Sequence, residues 1–224
     1  MKSSEWHASA KTRWEDNADQ WHSKSVDMWT EGSRKAVIPF FHKHTCDVQT
    51  VADLGCGDGY GSFLLYEKGY VVTGMDFSIN MIEIARKQAR ENLSFVHGDL
   101  RSLPFQDGQF DAVMAINSVE WTENPLHTLN EIERVVSKDG YICIGILGPT
   151  AHPRENAYPR LHGEEVICNT MMPWELEKLA HDKGWKKISE DWIYKKMVKP
   201  SLADTLTSEL KQALTFTTLF MFQK

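Results

Sequence analysis

Between residues 50 and 147, short apolar runs alternate with segments whose apolar positions recur every three or four residues. Five runs are short and bounded by Gly, Asp or Asn, and they are predicted as buried strands. They are Thr50–Leu54, residues 70–75 running up to Asp76, Leu93–His97, Phe110–Ile116 and residues 141–147. Residues 62–68 are predicted as a helix that stops at Gly69. Ser78 caps a second helix with Ile79, Ile82, Ala85 and Ala89 on one side. Asn124 as cap and Pro125 in the first turn open a third. It sets Leu126, Leu129, Ile132, Glu133 and Val136 at helical spacing, and Lys138-Asp139-Gly140 then turns the chain into the fifth strand. Such strict alternation predicts a parallel sheet with helices on both faces.

The flanks follow other rules. Trp6, Trp14, Trp21 and Trp29 are spaced by 8, 7 and 8 residues, close to two helical turns each. Two readings stand: an aromatic stripe packed on the body, or a lid over a ligand. Residues 148–173 break the alternation with Pro149, Pro153, Pro159, Gly163 and Pro173, as expected of a long insertion that covers a substrate. Residues 174–183 are predicted as a helix, 185–198 as strand-like and 214–223 as a last strand, closing an antiparallel hairpin.

Composition narrows the class. The 224 residues are 42% hydrophobic and 25% charged, as for one globular domain. The net charge is -6, and no stretch is rich enough in Lys and Arg to track phosphates, so no nucleic-acid partner is expected. The start lacks an apolar signal region, and the apolar stretch 213–222 holds three Thr and is too short to span a bilayer. Cys46, Cys56, Cys143 and Cys168 are scattered without a C-x-x-C pair. A reducing cytoplasm and no metal site are expected.

The chemistry gathers at predicted strand ends, where ligands of such sheets bind. Gly55, Gly57 and Gly59 form a G-x-G-x-G loop that opens a helix, so a ligand can approach the backbone, and an anionic group suits the helix N-terminus. The dinucleotide fingerprint G-x-G-x-x-G is incomplete, because Tyr60 stands at its last position. Asp76 ends the second strand, 21 residues after Gly55, where a carboxylate accepts from two ribose hydroxyls. Loop and acid together indicate a nucleoside ligand, either NAD or S-adenosylmethionine. Asp53 lies among apolar neighbours and needs a partner, a cationic amine or the loop N–H groups. Asp99 follows the third strand, where a carboxylate accepts from an adenine amino group beside the Leu100 amide.

These stretches resemble class I S-adenosylmethionine-dependent methyltransferases, and most closely the ubiquinone/menaquinone-biosynthesis type that acts on small molecules. Val51-Ala52-Asp53-Leu54-Gly55-Cys56-Gly57-Asp58-Gly59 is similar to that family's first motif. Gly74-Met75-Asp76-Phe77-Ser78-Ile79-Asn80-Met81 is similar to the second, and Gly98-Asp99-Leu100-Arg101-Ser102-Leu103-Pro104-Phe105 to the stretch holding the adenine-binding acid. Phe110-Asp111-Ala112-Val113 and the segment from Leu129 to Gly140 resemble the fourth strand and the helix after it. The resemblance implies a Rossmann-like, doubly wound, mostly parallel sheet of seven strands. It divides the chain into a helical cap (1–45), a cofactor-binding core (46–147), a substrate lid (148–173) and a C-terminal completion of the sheet (174–224). The cofactor implied is S-adenosyl-L-methionine. Gly55 and Gly57 would pass close to its methionine part, with Asp53 near the ammonium or ordering the loop. Asp76 would hold the ribose, and Phe77 and Met81 would pack on adenine. Asp99 and Leu100 would read its edge, and Ile116 and Asn117 would lie near the sulfonium. Trp21 and Arg34 are the candidates for closing the site from the N-terminal helices.

Two departures stand out. Lys138-Asp139-Gly140 replaces the family's Gly-Gly turn, and Trp121 stands where many relatives carry His, so no His acid or base is expected there. Asn117-Ser118-Val119-Glu120 replaces the Asn/Asp-Pro-Pro-Tyr/Phe run, which disfavours amino-methylation of adenine or glutamine. Glu120, His127, His152 and His162 are expected as surface or helix residues rather than bases. The rival readings are an NAD-dependent oxidoreductase and a non-catalytic S-adenosylmethionine-binding regulator.

Overall fold

In the computed structural model, residues 3–45 and 47–224 are described. Met1, Lys2 and Cys46 lie outside the described residues. The centre is a sheet of seven strands: β1 (Thr50–Leu54), β2 (Val71–Asp76), β3 (Leu93–His97), β4 (Phe110–Ile116), β5 (Val136–Leu147), β6 (Lys186–Tyr194) and β7 (Thr215–Gln223). Their spatial order is β3-β2-β1-β4-β5-β7-β6. The first five pair in parallel, and β7 runs antiparallel between β5 and β6. The parallel part is what the alternation predicts, and the whole is the Rossmann-like, mostly parallel sheet of seven strands that the resemblance implies. The chain order switches direction beside β1, between β2 and β4, so the site is expected at the carboxyl ends there.

Alternate residues of the central strands feed opposite cores, because a strand's side chains alternate between faces. Ala52, Leu54, Val113 and Ala115 share one core with Leu129 and Ile132 of α6 (Pro125–Val135) and with Leu176 of α7 (Pro173–Asp182). Val51, Val72 and Met114 share the other with Leu65 of α4 (Tyr60–Tyr66) and Ile82 of α5 (Ile79–Arg86). The same split continues on β7, with Phe220 and Phe222 in the first core, Leu219 and Met221 in the second.

Capping follows the expected chemistry. Ser78 accepts from the Met81 amide, and Asn124 accepts from the His127 amide with Pro125 at the first position. Some boundaries move. The helix after the glycine loop starts at Tyr60 instead of residue 62, and α5 ends before Ala89. The Lys138-Asp139-Gly140 turn lies inside β5, which begins at Val136; Asp139 takes a left-handed φ of 61°, and the register with β4 shifts there.

Before the sheet come α1 (Ser3–Asp16), α2 (Ala18–Thr30) and α3 (Val37–Lys43). α1 and α2 are separate helices that meet at Asn17, so the four tryptophans do not form one continuous stripe. Trp29 packs into the core against α4. Its ring lies so near Gly61 that a Cβ there would stand 2.4 Å from Cζ2. Gly61→Ala is therefore expected to lower stability by about 1–3 kcal/mol through overpacking, read as a lower urea midpoint. An unchanged midpoint would mean that α2 is not locked against α4 by this contact.

Candidate functional site

A cavity of about 800 Å³, counting the solvent at its mouth, opens at the carboxyl ends of β1, β2 and β4. Trp21, Arg34, Gly55, Gly57, Asp76, Phe77, Met81, Asp99, Leu100, Ile116 and Asn117 all line it. Asp53, the remaining candidate, does not line it and sits behind the loop.

The glycine loop is squeezed from two sides. Gly55 and Gly57 have φ of 80° and 56°, in the left-handed region that glycine tolerates best. A Cβ at Gly55 would lie 2.5 Å from Ser118 Cβ, and one at Gly57 would lie 3.1 Å from the Trp21 indole nitrogen. Asp76 fastens the loop to β2: its Oδ2 accepts from the Gly57 amide at 2.8 Å and its Oδ1 from the Ser78 amide at 2.9 Å. Burial pushes the Asp76 carboxyl above its ordinary pKa, against the pull of the Ser78, Gly57 and Phe77 amides. Asp99 accepts from the Arg101 amide at 2.9 Å and pairs with the Arg101 guanidinium. Asn117, just past β4, takes a left-handed φ of 52°, unusual away from glycine. Its carbonyl accepts from Trp121 Nε1 at 2.9 Å.

Buried charges crowd the methionine-facing end that the resemblance implies. Asp53, 3% exposed, accepts from Ser62 Oγ at 2.6 Å. Burial pushes its pKa up to about 7, while Ser62 and the Arg34 charge hold it down. Arg34, 8% exposed, lies over the Trp21 and Trp29 rings at 4.7 and 5.3 Å. Its guanidinium has no hydrogen-bond or ion-pair partner among the described residues. Burial lowers its pKa to about 10, opposed by the charges of Asp53, Asp58 and Glu120.

Some contacts at the site have no signal in the sequence pattern. Asp58, within the loop, accepts from Ser25 Oγ at 2.8 Å and bonds His22 Nδ1 at 2.7 Å, which latches α2 to the glycine loop. Trp6, Trp14, Ser118, Trp121 and Thr122 also line the cavity. The lid reading of the tryptophans therefore fits Trp6, Trp14 and Trp21, and the packing reading fits Trp29. Glu120 corrects an expectation: it is fully buried in the turn Val119–Trp121, where its Oε1 accepts from the Leu147 amide at 2.6 Å. His127, His152 and His162 are exposed and do not line the cavity.

Residues 148–173 do not line the cavity either. They stand behind the turn that does. Asn169 Nδ2 donates to the Val119 and Thr122 carbonyls, and buried Arg154 donates to the Leu147 and Met171 carbonyls. Much of the segment is a 3-10 run, His152–His162.

The Asp53 environment has a signed pH consequence. Its folded pKa, about 7, exceeds the ordinary 3.8. The stability linked to its protonation is thus present below about pH 4 and is lost as pH rises through 7. Asp53→Asn should gain stability relative to wild type from about pH 4 to 7 and hold that gain above it. Urea midpoints at a series of pH values check this, and a pH-independent difference would contradict it.

Residues 52–144 match the family model described as a methyltransferase domain. The chain is 35% identical over 134 residues to a demethylmenaquinone methyltransferase of Lactococcus lactis, covering 56% of this chain and 50% of that protein. It is 38% identical over 104 residues to a malonyl-[acyl-carrier protein] O-methyltransferase of Legionella pneumophila, covering 44% and 36%. The chain thus spans half or less of these curated relatives. A solved S-adenosylmethionine-dependent methyltransferase of Methanosarcina mazei superposes with a TM-score of 0.66 over 83% of this chain and 97% of its own, at 20% identity, a likeness of fold. The matched segment holds the glycine loop, Asp76 and Asp99, and in sequence and fold it is similar to S-adenosylmethionine-dependent methyltransferases.

Proposed function

We propose that this chain transfers the methyl group of S-adenosylmethionine to a small-molecule acceptor, within the cavity above β1, β2 and β4. The observation that carries the reading is the meeting of Asp76, Asp99 and the glycine loop around one cavity, together with two polar groups that have no hydrogen-bond partner among the described residues. Those groups are the Arg34 guanidinium and the Ser118 hydroxyl, which is buried without a hydrogen bond. Buried polar groups are normally satisfied, so such orphans mark where ligand atoms belong.

The residues suit the cofactor. The Asp76 oxygens accept from backbone amides, Gly57 and Ser78 among them, and a carboxylate's two oxygens keep further capacity for the ribose hydroxyls. Phe77 and Met81 offer apolar cover for adenine, and Asp99 with the Leu100 amide suits its polar edge. Gly55 and Gly57 leave room for the methionine part, whose carboxylate Arg34 is suited to neutralise. Asp53 acts through the loop, holding it by way of Ser62 rather than touching the ligand. Ile116 and Asn117 border the place for the sulfonium.

When bound, S-adenosylmethionine supplies a methyl group already activated on sulfur. The chain's own work is orientation and exclusion of water. Alignment of two reactants contributes roughly 7–11 kcal/mol at best, and Trp14 and Trp21 cover the cavity from α1 and α2. The incomplete dinucleotide fingerprint gives the oxidoreductase reading no support. The buried free cysteines Cys56, Cys143 and Cys168 suit a reducing cytoplasm. Among the described residues no helix is long and apolar enough to cross a membrane.

Two substitutions test this. Asp76→Ala should abolish measurable S-adenosylmethionine binding in titration calorimetry, and near wild-type affinity would reject the assignment. Arg34→Met should weaken binding at least tenfold while the free protein keeps or gains thermal stability, because it removes a buried charge without an ion-pair partner. Full affinity in that variant would remove Arg34 from the carboxylate role.

A further inference from the structure

The apolar side chains that the fold leaves in water are not spread evenly. The five most exposed large ones among the described residues are Tyr158, Leu161, Met197, Leu202 and Leu210, 53 to 93% exposed, with Met197 the extreme. All five lie in two segments, residues 148–173 and the connection 195–214 between β6 and β7. Both segments leave the sheet at the end where the cavity opens. Leu147, the carboxyl end of β5, pairs with Thr217, and Tyr194 pairs with Thr215. The two segments also touch. Lys195 Nζ donates to the Thr150 carbonyl at 2.8 Å, and Thr150 shares a surface cleft with Tyr158 and Arg160. Segment 148–173 in turn meets α1, whose Trp14 covers the cavity, through a hydrogen bond from Arg13 to Asn156.

One part of this face is strongly basic. Lys195, Lys196 and Lys199 are exposed within five residues that hold no acid, and Met197 stands in their midst. The rest of the connection sets Lys211 against Asp204 and Glu209. Residues 148–173 carry exposed Arg160 beside exposed Glu155, Glu164 and Glu165, with Glu155 paired to His152. The positive excess therefore sits at 195–199, in a chain whose net charge is -6. Such a chain is repelled by an anionic surface over most of its area and approaches one with this tip in front.

The residue types fit a bilayer better than a protein. Lysine is depleted from the centre of protein interfaces, and apolar tips that project separately would each need a pocket of their own in a folded partner. A headgroup layer deforms around them. The apolar ends enter the acyl boundary while lysine stems lie along it and their ammonium groups reach the phosphates.

We propose that residues 195–199, together with Leu161 and Leu202, dock the chain on an anionic phospholipid bilayer, with the cavity end of the sheet toward the membrane. The docking depends neither on the cofactor nor on the acceptor.

The test is co-sedimentation of the whole chain with two kinds of vesicle, phosphatidylcholine alone and phosphatidylcholine with roughly a third phosphatidylserine. The chain should partition onto the anionic vesicles at least threefold more strongly, and added salt should weaken that binding. Two variants disarm the tip in different ways: Met197→Ser with Leu161→Ser, and Lys196→Glu with Lys199→Glu. Each should lower partitioning onto anionic vesicles at least threefold. Lys68→Glu with Lys87→Glu makes the same change in net charge at exposed positions just past α4 and α5, and should leave partitioning within twofold. All three should keep the wild-type thermal midpoint, because the substituted side chains stand in water. A smaller preference for anionic vesicles, a loss as large in the Lys68 and Lys87 variant, or binding that either tip variant leaves intact would overturn the proposal. So would a dimer in sedimentation velocity that Met197→Ser with Leu161→Ser dissociates, because a second copy would then cover the face.

Discussion

The geometry of the site depends on the hydrogen bonds that Asp76 accepts from Gly57 and Ser78. A carboxylate at the end of β2 is tied to the amide of a loop that leaves β1, so the tips of two strands and the start of α5 are held as one piece. The Gly55 and Cys56 amides add to this by donating to the Met75 carbonyl. Everything that faces the cavity is placed relative to that knot: Ser118 abuts Gly55, and Trp21 abuts Gly57. The carboxylate is also partly desolvated, so its hydrogen bonds are stronger than their counterparts in water and any lone pair left over is costly to leave unmatched.

Local physics explains what the sequence makes legible. β1, β3 and β4 have the predicted bounds because each is a short apolar run closed at both ends by residues that disfavour strands. Ser78 and Asn124 cap their helices through contacts only three residues long. The hidden parts depend on contacts far apart in sequence. Asp58 has the look of a polar loop residue, yet its partners His22 and Ser25 lie 36 and 33 residues earlier. Glu120 has the look of a surface acid, and only the Leu147 amide, 27 residues later, accounts for its burial. The roles of Trp6 and Trp14 depend on the break at Asn17, which periodicity alone does not reveal. Residues 148–173 carry the prolines of a loose covering loop, whereas Asn169 and Arg154 tie them beneath the site.

The buried charges form a further pattern. Asp53, Asp58 and Glu120 surround Arg34, and burial opposes the charged forms of Asp53, Glu120 and Arg34. Replacing such groups by apolar ones is commonly neutral or stabilising in a protein chosen for stability alone. Of these four groups Arg34 lines the cavity, and a ligand that matches its charge stabilises the folded chain by mass action.

The position of β7 bears on how the chain assembles. Among the described residues β6 lies at the sheet's edge beside β7, and β7 joins β6 to β5. During synthesis from the N-terminus, β6 therefore emerges with no docking edge and waits for a strand made about twenty residues later. Until then the apolar rows of β5 that Leu219 and Phe220 will cover remain open to water and to stray strands. Completion of the sheet is a late, non-local event, of the kind that slows folding more than it weakens the finished structure.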